Sequence, residues 1–167
     1  MGLFDFFKKK KDTKEDWIEI YSPLNGRVID LSEVPDEAFA GKMIGDGCGI
    51  EPTAGSVHSP VVGEIDIFET NHAVSFETED GLEMIVHFGI DTVKLNGEGF
   101  TRVAEPGSEV KPGDELVKYD LEYIRENAKS IRTPVIINNM DEVEELKVVA
   151  SGDVKVGELL MKVKIKK

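Results

Sequence analysis

Residues Pro106-Gly-Ser-Glu-Val-Lys-Pro-Gly-Asp-Glu-Leu-Val-Lys118 return, one residue shorter, as Ser151-Gly-Asp-Val-Lys-Val-Gly-Glu-Leu-Leu-Met-Lys162. Each copy reads as a Gly turn, a short strand, a second Gly turn and a longer strand. A unit repeated at this spacing buries its apolar face against a neighbour rather than alone. The repeat therefore calls for two similar β units that close on each other and leave no long exposed sheet edge. Gly and Asp are also the default turn residues, so it is the matched Val-Lys-x-Gly that separates a repeat from ordinary turn chemistry.

The rest of the chain from Trp17 onward has the same texture. WIEIYSP, GRVIDL, SVHSPVVGEIDIF, AVSFET, LEMIVHFGI, GFTRVA, ELVKYDL, TPVIIN, ELKVVAS and ELLMKVKIKK read as short strands. Gly, Pro, Asn and Asp clusters punctuate them at the spacing of sandwiches and barrels. The Gly-rich stretch GDGCGIEPTAG reads as a loop, with His58 on the loop surface beyond it. Leu121–Lys129 is helical, capped by Asp120, and Asp141–Leu146 reads as a further helical turn. The fold class is all-β: an antiparallel β-sandwich or barrel with short helical turns and an internally repeated β motif.

At 167 residues the chain makes one domain with a proper core. Residues 17–167 form that domain, and residues 1–16 are a separate flexible or amphipathic segment. In MGLFDFFKKKK, Leu3, Phe4, Phe6 and Phe7 precede Lys8 to Lys11. That order is wrong for a signal peptide and suits weak contact with anionic membrane through residues 1–11. No stretch is long and apolar enough for a span, so the cytoplasm is the simplest location. Acidic residues outnumber basic ones 33 to 20, a net charge of −13, which argues against nucleic acid and suits basic protein partners. Cys48 is the only cysteine, so an internal disulfide is excluded, and it reads as a small buried apolar residue.

Chemistry concentrates in one hairpin. Asp80-Gly81 is a two-residue turn signal, and a two-residue loop sets Glu79 opposite Leu82, Phe76 opposite Ile85 and Val74 opposite His87. His72 then lies one diagonal step from His87, on the same face with Val74, Phe76 and Ile85, while Leu82, Met84, Val86 and Phe88 face the core. A one-residue slip would separate the rings. Two imidazoles in an apolar collar bind protons weakly. They are then either a structural pair or a nucleophile and metal-ligand pair. Thr70 is placed to fix one ring's tautomer, and Asp91 to orient a ring or meet a cationic partner.

The segments SPLNGRVIDLSEVPDEAFAGKMIGDGCGIEPT, SPVVGEI, FETNHA, VHFGIDTVKLNGEGF and TPVIINNMDE resemble the IIA proteins or domains of the glucose branch of the bacterial phosphoenolpyruvate-dependent sugar phosphotransferase system. The resemblance covers nearly all of Ile18 to Lys167. It implies that His87 accepts a phosphoryl group from the carrier HPr and passes it to a cysteine of a permease IIB domain. It implies that His72 stabilises the phosphoryl group, oriented by Thr70. The matching docking surface is Phe39, Met43, Ile44, Phe68, Ile85 and Val93, flanked by Asp36 and Asp91. No cofactor is required, although His72 and His87 could take up zinc with an outside carboxylate, as family members do with a regulated partner enzyme. Other regulated enzymes and permeases are further partners. Rival classes remain: a purely regulatory binding module that never reacts at His87, or a zinc hydrolase of a related β fold, which would need an H-x-H pair that the chain lacks. A biotinyl or lipoyl carrier would need a lysine at the hairpin tip, where Asp80-Gly81 stands.

Overall fold

A computed structural model describes residues 17–167; the readings made for residues 1–16 lie outside the described residues. The chain forms β1 (Trp17–Tyr21), β2 (Gly26–Ile29), α1 (Glu37–Ala40), β3 (Asp46–Pro52), β4 (Ser56–His58), β5 (Gly63–Ile67), β6 (Ala73–Glu77) and β7 (Glu83–His87). It continues through β8 (Phe100–Arg102), β9 (Glu109–Val110), β10 (Glu115–Tyr119), α2 (Leu121–Asn127), β11 (Thr133–Ile137), β12 (Val143–Val148), β13 (Asp153–Val154) and β14 (Leu159–Ile165). Short 3-10 turns occupy Leu31–Glu33, Thr92–Leu95 and Met140–Glu142. Eight strands pair in the order β13-β2-β3-β11-β7-β6-β5-β9, and two three-stranded sheets run β1-β14-β12 and β4-β10-β8. Every named pairing is antiparallel. No helix among the described residues is long and apolar enough to cross a membrane.

The repeat is real in three dimensions. In each copy the acid after the second Gly accepts from the lysine amide three residues earlier, Asp114 from Lys111 at 3.0 Å and Glu158 from Lys155 at 2.8 Å. Both second glycines take positive φ, +93° at Gly113 and +89° at Gly157, a conformation that costs glycine little. The two-residue strands β9 and β13 then cap opposite ends of the large sheet, and edges this short give another chain little to pair with. The likeness between the halves also reaches beyond the repeated segments. Ser22 and Ser59 each donate through Oγ to the carbonyl two residues on, at 2.7 Å, and their amides donate to the backbone carbonyls of Glu158 and Asp114 respectively.

The main core lies between the sheets. Val74, Phe76, Met84, Val86, Val135 and Ile137 of the large sheet pack in one cluster with Ile20, Leu160, Met161 and Val163 and with Val57, Leu116 and Val117. Cys48 joins it, 1% exposed, and burial pushes its thiol pKa up to about 12. A second, smaller cluster contains Ile29, Leu31, Val34, Phe39, Ile90 and Ile136, with Ile85 packed against it. Strand β11 serves both clusters, which explains a TPVII run buried at every position.

The Gly-rich stretch around Cys48 is not the expected loop but strand β3, paired on both sides. Its glycines are there for close approach: a Cβ on Gly47 would sit 2.2 Å from the Val135 carbonyl oxygen, and one on Gly49 would sit 2.8 Å from Ile29 Cγ1. His58 is a half-buried strand residue, with Nε2 2.7 Å from Ser56 Oγ and Nδ1 2.9 Å from the Gly113 carbonyl. Residues 141–146 are mostly strand: the 3-10 turn ends at Glu142 and β12 begins at Val143. Helix α2 ends at Asn127, with Asp120 accepting from the Tyr123 amide at its N-cap.

Candidate functional site

The β6–β7 hairpin differs from its expected register by one residue. Ala73 opposes His87, Val74 opposes Val86, Ser75 opposes Ile85, and Glu77 opposes Glu83. The loop holds three residues, Glu79 to Gly81, closed by the Leu82 amide on Thr78 Oγ1 at 3.1 Å, with Gly81 at φ +89°. This is the three-residue hairpin geometry with glycine in the left-handed position. The shift turns Val74 and Phe76 into the core, and Glu83, Ile85 and His87 share the opposite face with Ala73, Ser75 and Glu77.

On alternation alone His72 would now face the core. It does not, because it precedes the strand, in a turn where the Phe68 amide bonds to the Ala73 carbonyl and Asn71 takes φ +61°. The His72 and His87 ring centroids are 4.9 Å apart at 79°. Phe39, from α1, lies 5.1 Å from the His87 ring, and Phe68 meets the His72 ring edge-on at 5.4 Å. The backbone ties the two segments together as well, since the Phe88 amide donates to the His72 carbonyl at 2.8 Å.

Each ring is held by its Nδ1. His87 Nδ1 lies 2.8 Å from the Gly89 carbonyl oxygen. A carbonyl only accepts, so Nδ1 carries the proton and Nε2 keeps its lone pair. Gly89 is fixed in turn: φ is +72°, and a Cβ there would meet the Ser130 carbonyl oxygen at 2.6 Å. Its amide donates to Thr133 Oγ1 at 3.3 Å. His72 Nδ1 lies 2.5 Å from Thr70 Oγ1. A hydroxyl can donate or accept; when Thr70 donates, His72 Nε2 bears the proton and becomes a donor.

Burial is the main force holding both imidazoles neutral. It pushes the His72 pKa down to about 4, helped by the charge His87 would carry. His87 is also lowered by burial, opposed by its bond to Gly89 and by the carboxylates of Asp36 and Asp91. The site therefore pairs a neutral imidazole whose Nε2 is unprotonated with a second neutral imidazole in an apolar surround.

The structure brings His72, His87, Thr70, Phe39 and Phe68 into contact, with Ile85 beside Phe39 in the smaller cluster. Met43 is 78% exposed, in the turn that closes α1, with Ile44 next to it; Val93 is exposed beyond Asp91. Asp36 caps α1 through the Ala38 amide, and Asp91 pairs with Lys94 at 3.7 Å. Sequence reasoning assigned no role to Gly89; the glycine signals at most a backbone that needs positive φ or a close approach, and its carbonyl is an acceptor like that of any residue. Ser130 and Thr133, distant in sequence, gave no such signal. For zinc, the pair offers two ligands; among the described residues no group of three or more His, Cys, Asp or Glu is placed to hold a metal, so a third ligand has to come from beyond the described residues.

The family model described as phosphoenolpyruvate-dependent sugar phosphotransferase system, EIIA 1, matches residues 18–143. A PTS system glucose-specific EIIA component of Haemophilus influenzae is 46% identical over 159 residues, covering 95% of each chain. One from Borreliella burgdorferi is 49% identical over 147 residues, 87% of this chain and 75% of that one. Among solved structures, glucose permease IIA from Mycoplasma capricolum superposes with a TM-score of 0.83 at 37% identity, covering 87% of this chain and 95% of that one.

Proposed function

The chain belongs to the EIIA 1 family of the phosphoenolpyruvate-dependent sugar phosphotransferase system, and we propose that within it His87 is the phosphoryl carrier. The observation that carries this reading is the Nδ1–Gly89 bond, which leaves His87 Nε2 unprotonated beside a second imidazole. In the first step the N–P bond of the HPr phosphohistidine breaks as an N–P bond forms at His87 Nε2. In the second, that bond breaks as an S–P bond forms on the cysteine of a permease IIB domain. Charge on the transferring oxygens is met by His72 Nε2–H, with Thr70 holding the other ring nitrogen. Placement and charge stabilisation are what phosphoryl transfer demands, and this arrangement supplies both without a metal.

Phe39, Met43, Ile44, Phe68, Ile85 and Val93 form the apolar docking collar, with Asp36 and Asp91 at its rim facing basic partners. The sugar served is glucose or one handled by a glucose-type permease, in the cytoplasm, with residues 1–11 making weak contact with anionic membrane. Regulated enzymes and permeases dock on the same collar, and zinc bridges the pair only where a partner adds a carboxylate.

The test is incubation with phosphoenolpyruvate, enzyme I and HPr. The wild-type chain gains acid-labile phosphate and His87→Ala gains none; absence of label from the wild type would sink the reading. His72→Gln accumulates phosphoprotein but passes it to IIB slowly, and normal onward transfer in that variant would remove the role given to His72.

A further inference from the structure

We propose that Arg102 is a positioning residue for this reaction, clamping the turn that delivers His72 to His87; the proposal rests on the phosphoryl-transfer reading above. Ala73 opposes His87 and shares its face, so the residue before it would ordinarily point to the other face. His72 escapes that rule because Asn71 adopts the left-handed conformation at φ +61°, one that Asn enters more readily than most residues but less freely than glycine. Contacts from outside the turn help to hold it in that state.

Arg102, at the end of β8 in a different sheet, does so with two hydrogen bonds. Its Nε donates to Asn71 Oδ1 at 2.8 Å, and a terminal nitrogen donates to the Phe68 carbonyl at 3.3 Å. The same Phe68 carbonyl accepts from the Asn71 amide at 2.7 Å, and the Phe68 ring is the one that abuts His72. The rigid fork of a guanidinium suits such a two-point grip. Arg102 forms no ion pair among the described residues, although acids outnumber bases 33 to 20 in the chain. Its polar contacts go to this turn.

The role predicts a loss in rate without a loss in docking. In the full-length phosphorylated chain, Arg102→Ala slows transfer to a IIB domain at saturation by about tenfold or more, the scale that small misplacements of a catalytic group produce. The IIB concentration giving half-saturation stays within about twofold, and Arg102→Lys recovers part of the rate. The ring nitrogen shifts of His72 in 15N NMR change in Arg102→Ala while those of His87 hold. In a His72→Gln background Arg102→Ala has no further effect, because both changes act through one ring. Asn71→Gly, which keeps the backbone conformation but removes the acceptor, reproduces the loss.

The clamp is overturned if Arg102→Ala transfers within about twofold of wild type, or if its defect is the same size with and without His72. An effect confined to half-saturation overturns it too, as does a wild-type rate in Asn71→Gly. Should the wild-type chain take up no phosphoryl group, the transfer reading fails by itself. The His72 ring shifts then still decide whether Arg102 holds that ring.

Discussion

The two imidazoles differ in what they do with a proton, and the difference has a measurable consequence for folding. The His72 pKa in the folded chain, about 4, lies below the unfolded value of about 6.5. Between those values the unfolded chain takes up a proton that the folded chain refuses, so stability is full above the window and falls as pH drops through it. Urea unfolding at pH 7.5 and 4.5 should show wild type losing about 2 kcal/mol more than His72→Gln, whose side chain does not titrate; equal losses would show that His72 is not the group refusing the proton. The lowered pKa of His87 works in the same direction for reactivity. Phosphoryl acceptance should persist at acidity where an exposed histidine is already charged, and a rate profile breaking at the free-imidazole value would contradict the burial of that ring.

At the scale of the hairpin, glycines with the same backbone sign have different jobs. A Cβ on Gly81 would meet nothing within 4 Å, whereas one on Gly89 would be driven into the Ser130 backbone. Gly81→Ala should therefore cost only the strain of positive φ, about 1 kcal/mol. Gly89→Ala should cost several times that and also displace the carbonyl that holds His87, so phosphorylation should fail in it alone; comparable thermal melts and labelling for the two would refute the distinction. The hairpin itself was legible in the sequence, since Asp80-Gly81 between apolar runs has few other solutions. Its register was not, because the same glycine fits a two-residue or a three-residue loop, and the choice falls to Thr78 bonding Leu82. The nearness of His72 to His87 survived that error through the left-handed Asn71, a residue type prone to that conformation, although its presence in the sequence does not say which asparagines will use it. Strand β3 was missed for a related reason: its glycines are selected by the Val135 backbone and the Ile29 side chain, partners that sequence does not display.

Over the whole molecule, the excess of acid is arranged as well as abundant. On the face of the large sheet that carries His87, Glu64 opposes Glu77 and Glu77 opposes Glu83. Like charges directly opposite weaken a sheet, and together they project a negative field toward any basic partner. Salt should therefore act with two signs. Raising ionic strength from about 0.01 M to 0.15 M shortens the screening length from about 30 Å to about 8 Å, so stopped-flow association with HPr should slow while the unfolding midpoint rises. A salt-independent association rate would mean that the acidic surface plays no part in encounter.

The pairing of β1 with β14 has a consequence for how such a chain is made. Strands β4 to β10 form one uninterrupted half, whereas the matching half is divided between β1–β3 and β11–β14. On the ribosome the continuous half can make its internal strand pairings as soon as it emerges, but β1 must wait for β14, its only sheet neighbour among the described residues. A stalled nascent chain ending before Leu159 should therefore protect its middle from protease while leaving its early strand open to chaperones. Joining the two ends and reopening the chain just before Ser56 would make the waiting half continuous and shift the delay elsewhere.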